Sequence, residues 1–390
     1  MAESGQSSEL NYPGLRFGAD KKFSITVFSD LHFGEPTWAR NRPYADPKTI
    51  GVMYSVIDNE QPDMVVLNGD LTSCEFVAPE NSNALIDQMV SPLVNRNLPF
   101  AATFGNHDMS KTCSTRSTSE YMWDNVKGKN GKKLSFTTSS VPGAHDQVGT
   151  SNYYVPVYSS SGGDNPSLEM MLWFFDSKGG RVFNPTGDDI PVGGWVDEKV
   201  VSWFRDTRDG INQQHNRVIP SLAFVHIPVQ GMQAFQKHGG RTSTTEPGLN
   251  EELVGHQGDV CDSSGNNCNY NGADGPFMKA LVETQGLMGV FSGHDHGIDW
   301  CMKWAKNLPT NPTNGNGVNF CFNRHSGYGG YTDWTRGARQ IVVDEDKLGK
   351  SELETWIRLE DGSVSGHVTL NSTYGVDQYP QVQKLKSSGP

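Results

Sequence analysis

The stretch Gly286–Asp299, G-L-M-G-V-F-S-G-H-D-H-G-I-D, joins an apolar run of strand length to two histidines that flank one aspartate. Such a junction is either a metal-binding strand end or a polar turn, because turns usually follow strands. The same junction recurs four times upstream. Phe23–Phe28 runs into Ser29-Asp30-Leu31-His32, and Met64–Leu67 into Asn68-Gly69-Asp70. Pro99–Phe104 runs into Gly105-Asn106-His107-Asp108, and Leu222–Val225 into His226. Alone, Asp30-Leu31-His32 fits a solvated strand end, Gly69-Asp70 a turn and His226 a satisfied core histidine, while Gly105-Asn106-His107-Asp108 is more specific. Five of them, each after an apolar run, point to one shared site.

The apolar runs, with Met170–Phe175 and Val318–Phe322, are mostly continuous, which suits strands covered on both faces. Helical spacing lies between several of them. It is carried by Ile50, Met53, Val56 and Ile57, by Leu85, Ile86, Met89, Val90 and Leu93, by Val200, Val201 and Phe204, and by Phe277 to Thr284. Strands alternating with helices predict an α/β architecture. Gln340–Asp344, Leu353–Leu359 and Val364–Leu370, with a hairpin turn at Glu360-Asp361-Gly362, predict an antiparallel finish. Two long Gly-rich stretches, Val229 to Gly275 and Lys303 to Gly317, are expected to be loops that serve as lids or binding walls. The expected organisation is an irregular arm over 1–20, a single domain over 21–380 and a tail over 381–390.

The chain has 390 residues, is 35% hydrophobic and carries a net charge of −12. That balance argues against general attraction to nucleic acid or anionic membranes, which reward basic patches. No apolar run approaches the roughly 20 residues of a membrane span. The N-terminus has neither the basic nor the apolar region of a signal peptide. The six cysteines form no C-x-x-C, which disfavours a thiolate zinc site. Cys261 and Cys268 bracket a short polar loop and read as a disulfide clip. Cys301 and Cys321 are also read as disulfide cysteines, and pairing of Cys74 with Cys113 is left open. Disulfides imply a secretory route, with Asn371-Ser372-Thr373 as a possible glycosylation acceptor.

In a mixed α/β sheet the carboxyl ends of strands gather along one edge, where ligands bind. Asp30, His32, Asp70, Asn106, His226, His294 and His296 would meet there. Imidazole, carboxylate and amide donors suit two transition-metal ions, Fe, Zn or Mn, better than calcium. An extended Asp30-x-His32 would place both side chains on one face. Asp70 is the natural bridge between the ions. Asn106, His107, Arg324 and His325 are candidate substrate contacts. His145, His238 and His256 are expected to be solvated. Trp300, Trp304 and Trp334 read as packing aromatics, with a cleft wall as the alternative.

The ordered blocks D-L-H, G-D, G-N-H-D, H and G-H-D-H resemble the calcineurin-like metallophosphoesterase superfamily. V-V-L-N-G-D-L-T, S-L-A-F-V-H-I-P and H-S-G-Y-G-G-Y resemble its fungal purple-acid-phosphatase-like branch, over nearly the whole chain. The resemblance implies a four-layer αββα sandwich of two mixed β-sheets flanked by helices. It implies one metal held by Asp30, His32, Asp70 and His296, and a second held by Asp70, Asn106, His226 and His294. It also places His107 near the leaving group, with Asp108 orienting its ring. Ser73 stands where true purple acid phosphatases carry the tyrosine that colours ferric iron, and His32 is present where they lack it. No tyrosinate colour is therefore expected.

The expected activity is hydrolysis of a small phosphoester or phosphoprotein, in the first place a monoester, by a metal-bridging hydroxide attacking phosphorus in line. A phosphodiesterase acting on nucleotides or glycerophosphodiesters is the second reading. A non-catalytic binding relative is the third.

Overall fold

The computed structural model describes residues 14–35, 45–161, 163, 166–261 and 268–386. Residues 1–13 of the expected arm, 262–267 of the loop between Cys261 and Cys268, and 387–390 of the tail lie outside them.

Two large mixed sheets form the centre. In spatial order the first holds Leu15–Arg16, Tyr153–Tyr158, Leu168–Phe175, Ser221–Val225, Leu287–Ser292, Val318–Phe322 and Cys301–Trp304. The second holds Val364–Leu370, Leu353–Leu359, Gly337–Asp344, Lys22–Phe28, Met64–Asn68 and Phe100–Thr103. Phe23, Ile25 and Val27 of one sheet share a buried core with Leu172, Phe174 and Phe224 of the other. Stacked rings run through it, with Phe174–Phe224 centroids 5.2 Å apart and Phe224–Phe291 centroids 5.6 Å apart. The outer face of the second sheet is covered by helices Ala45–Glu60 and Ser82–Arg96, through residues such as Met53, Val56, Met89 and Leu93. The outer face of the first is covered by Glu198–His215, Gln230–His238 and Gly275–Glu283. Covering both faces of each sheet explains the continuous apolar runs, and the architecture is the four-layer αββα sandwich.

Parallel pairing positions the site. Lys22–Phe28, Met64–Asn68 and Phe100–Thr103 are mutually parallel. So are Leu168–Phe175, Ser221–Val225, Leu287–Ser292 and Val318–Phe322. All of the polar blocks therefore leave their sheets at carboxyl ends. Gly337–Asp344 closes the second sheet antiparallel to Lys22–Phe28 and Leu353–Leu359, as the C-terminal pattern predicts.

Several elements depart from the sequence reading. Leu15–Arg16, inside the expected arm, pairs with Tyr153–Tyr158. That strand contains Pro156, which disguises it; its neighbour is only two residues long, so it is nearly an edge, where proline is tolerated. The expected loop Val229 to Gly275 contains the helix Gln230–His238, which buries Met232, Ala234 and Phe235, and a two-stranded hairpin of Asp259–Cys261 and Cys268–Tyr270. The expected loop from Lys303 begins inside the strand Cys301–Trp304. Trp300 and Trp304, by contrast, follow the packing reading and are buried in the core. The cysteines pair as Cys74–Cys113, Cys261–Cys268 and Cys301–Cys321.

Candidate metal centre

The D-L-H block does not leave its strand extended. Asp30 and His32 both take left-handed backbone, at φ 56° and 50°, as do Asp70 at 49° and His294 at 77°. Four non-glycine residues in this sparsely allowed region at one place mark a constrained site. Backbone hydrogen bonds hold the turn: Asp30 N–H donates to Gly69 O at 3.1 Å and His32 N–H to Asp70 O at 3.0 Å. The convergence of Asp30 and His32 thus comes from a paired turn, not from the alternation of an extended strand.

Six expected ligands form two groups, Asp30 with His32 and His296, and Asp70 with His226 and His294. In each group the donor atoms lie within 4.8 Å of one another. The groups abut. His32 Nε2 and His296 Nε2 are 3.3 Å apart. Asp70 Oδ2 is 3.0 Å from His226 Nε2 and 3.8 Å from His32 Nε2, so it faces both groups. Asp30 Oδ1 lies 3.7 Å from His296 Nε2 and 3.9 Å from His226 Nε2. Asn106, the seventh, is held from behind: a Cβ on Gly179 would come within 2.6 Å of its Cβ.

Three observations suit this donor set to metal ions. First, three imidazoles have Nδ1 occupied and Nε2 turned inward. His226 Nδ1 donates to Asn68 O at 2.9 Å, His296 Nδ1 donates to Tyr331 O at 2.9 Å, and His32 Nδ1 meets Ser73 Oγ at 2.9 Å. A carbonyl only accepts, so His226 and His296 each hold a proton on Nδ1 and leave Nε2 as the inward-facing atom, the arrangement of metal-binding histidines. Second, Asp30 Oδ2 and Asn106 Oδ1 are buried without a hydrogen-bond partner, and buried polar atoms normally have one. Third, the electrostatics call for positive charge. Burial pushes Asp30 up to about 7, against the pull of His226. Burial disfavours a charged His226, yet Asp70 and Asp30 raise it to about 10. Burial drives His294 down to about 3 and His296 down to about 4, which keeps both neutral and able to bind. Bound cations would satisfy the carboxylates directly.

His107 lies at the rim, with its side chain 37% exposed, and its N–H donates to Asp70 Oδ1 at 2.8 Å. The expected ring partner is corrected. Asp108 accepts from the backbone N–H groups of Leu71, Thr72 and Gly105 at 2.8–2.9 Å and ties two ligand-bearing loops together. The turn in which Asp108 N–H meets Gly105 O sends adjacent side chains different ways. Glu75 takes the role instead, with Oε1 2.5 Å from His107 Nδ1. Burial opposes a charge on His107, but Asp70 and Glu75 together raise it to about 9.

Arg324 and His325 are also corrected as substrate contacts. Arg324 is 1% exposed and spends its guanidinium on Asp299 Oδ2 at 2.7 Å and Thr335 O at 2.6 Å. His325 is buried against Trp334 O and Thr332 Oγ1, with its ring edge-on to His296. His256, expected to be solvated, is buried and bonded to Gln257 O. Asp295 Oδ1 accepts Gly255 N–H at 3.0 Å.

Gly330 and Tyr331, at the end of H-S-G-Y-G-G-Y, form a wall of the site. The Tyr331 ring stacks on His296 at 4.0 Å. Gly330, at φ 69°, passes so close that a Cβ would lie 2.4 Å from His296 Cε1 and 2.9 Å from His32 Cδ2. Gly330→Ala should therefore displace both rings and remove the ion of the Asp30 group while the other is retained. Metal content at limiting loading, with circular dichroism as the folding control, checks this; two ions retained would contradict it.

The family described as calcineurin-like phosphoesterase matches residues 23–297, and the chain belongs to it. A protein named probable inactive purple acid phosphatase 14 from Arabidopsis thaliana is 26% identical over 89% of this chain and 83% of its own length. Phosphatase DCR2 of Saccharomyces cerevisiae is 26% identical over 87% of this chain and 54% of its own, so the chain spans about half of the yeast protein. The crystal structure of a dimetal phosphatase from Danio rerio shares the fold, at a TM-score of 0.51 and 12% identity, over 90% of this chain and 98% of that one. The chain is a phosphoric ester hydrolase by family.

Proposed function

We propose that this member of the calcineurin-like phosphoesterase family hydrolyses phosphomonoesters with two transition-metal ions. Asp30, His32, Asp70 and His296 would hold one ion, and Asp70, Asn106, His226 and His294 the other. The observation that carries the reading is the inward set of Nε2 atoms facing Asp30 and Asp70. When bound, such a pair supplies Lewis acidity to phosphoryl oxygens and acidifies water.

The chain's own residues supply the rest. Glu75 occupies His107 Nδ1 and leaves Nε2–H to donate a proton to the leaving oxygen. The positive charge on His107 also meets the extra anionic oxygen that distinguishes a monoester from a diester. Asp108 and the Cys74–Cys113 disulfide fasten the loop of Asp70, Ser73 and Glu75 to the loop of Asn106 and His107. The three disulfides support folding in an oxidising compartment.

Parallel rates on p-nitrophenyl phosphate and bis-p-nitrophenyl phosphate test the substrate class. The monoester should be the better substrate by kcat/KM; faster diester cleavage would replace this reading with the phosphodiesterase one, which the engagement of Arg324 and His325 elsewhere favours.

Glu75 raises the pKa of His107, so Glu75→Gln should lower it. The alkaline limb of the kcat/KM profile, where His107 loses its proton, should then move to lower pH. An unmoved limb would contradict the pairing.

A further inference from the structure

His32 is the one inward-facing histidine whose Nδ1 meets a side chain where His226 and His296 meet a carbonyl. A hydroxyl can donate or accept, so by itself it sets no tautomer. Glu35 removes the ambiguity. Ser73 Oγ–H donates to Glu35 Oε2 at 2.9 Å, and the same oxygen accepts Gly330 N–H at 2.7 Å. With its single proton committed to a carboxylate, Ser73 Oγ can only accept from His32. All three side chains are buried. Glu35 Oε2 itself lies 3.4 Å from His32 Nδ1, beyond good hydrogen-bond length, so it cannot replace the hydroxyl without moving.

We propose that Ser73, backed by Glu35, is a positioning residue that holds the proton of His32 on Nδ1 and so prepares Nε2 as a ligand for the ion of the Asp30 group. The proposal rests on the two-metal reading above. It gives position 73 a purpose of its own: the hydroxyl acts through the ring of His32 and touches neither ion nor substrate. The link through Gly330 also joins His32 to the wall that packs on His296, so both imidazoles of the Asp30 group are set from one side.

The test uses the full chain labelled with 15N-histidine, stripped of metal for NMR, and then titrated with Zn2+. In the stripped wild type His32 should show the Nδ1–H tautomer. Ser73→Ala should lose that preference and weaken one of two zinc sites by about 10- to 100-fold, the usual effect of removing a group that orients a ligand. The second site should keep its affinity, and Ser73→Thr should restore both readouts. An Nε2–H tautomer in the wild type, unchanged zinc binding in Ser73→Ala, or equal weakening of both sites would overturn the proposal. Fewer than two zinc ions on the wild type would instead overturn the two-metal reading, because the tautomer is read without metal.

Discussion

Asp70→Asn should leave the fold intact, strip the protein of at least one ion and lower kcat/KM by on the order of 10^3-fold or more. The asparagine oxygen can still accept His107 N–H, which Asp70 Oδ1 does now. Its amide nitrogen would then stand where Asp70 Oδ2 faces both ligand groups, 3.0 Å from His226 Nε2 and 3.8 Å from His32 Nε2. The variant would replace a carboxylate placed to be shared by two cations with a donor that would repel them. Metal clamping is worth several kcal/mol of transition-state stabilisation, and each 1.4 kcal/mol or so is a factor of about ten. Elemental analysis and steady-state kinetics on one preparation check this. Two ions and wild-type turnover would remove Asp70 from the bridging position.

His107→Ala should behave differently. It should retain both ions and lose about 10^2- to 10^4-fold in kcat, the usual range for a positioned general acid. The side chain stands at the rim, and only its backbone N–H reaches a ligand carboxylate. The loss should be larger for an alkyl phosphate than for p-nitrophenyl phosphate, since an alkoxide needs the proton and a nitrophenolate hardly does. Equal losses on both substrates, or loss of metal in step with activity, would contradict the proton-donor role.

The clustering of Asp30, His32, Asp70, His226, His294 and His296 is legible in sequence through the ordered blocks and the family resemblance they carry. Parallel strands deliver their carboxyl ends to one edge, and metal chemistry needs His, Asp and Asn there. The groups that orient those ligands were not legible. Glu35, Ser73, Glu75 and Tyr331 sit in loops whose meeting depends on the packed fold. The resemblance points to Asp108 as the ring partner of His107, but a tight turn separates their side chains and Glu75 meets the ring instead. Arg324 suited a phosphate by charge alone; the sequence did not reveal that Asp299, 25 positions away, already holds it. The spacing of Asp30 and His32 predicts a shared face of an extended strand, whereas left-handed backbone brings the two together. The helix Thr115–Asn125 escaped for a different reason. Its segment T-R-S-T-S-E-Y-M-W-D-N carries little apolar periodicity, and the Ser114 side chain caps its first turn.

Hydrolysis measured against metal bound per chain is the decisive experiment. The apoprotein is reloaded stepwise with Zn2+, Mn2+ or Fe2+, and phosphoester cleavage and elemental content are read on each sample. Activity should be absent without metal and should rise until two ions are bound per chain. Activity that saturates at one ion, or that survives complete removal of metal, would contradict a two-metal phosphoesterase.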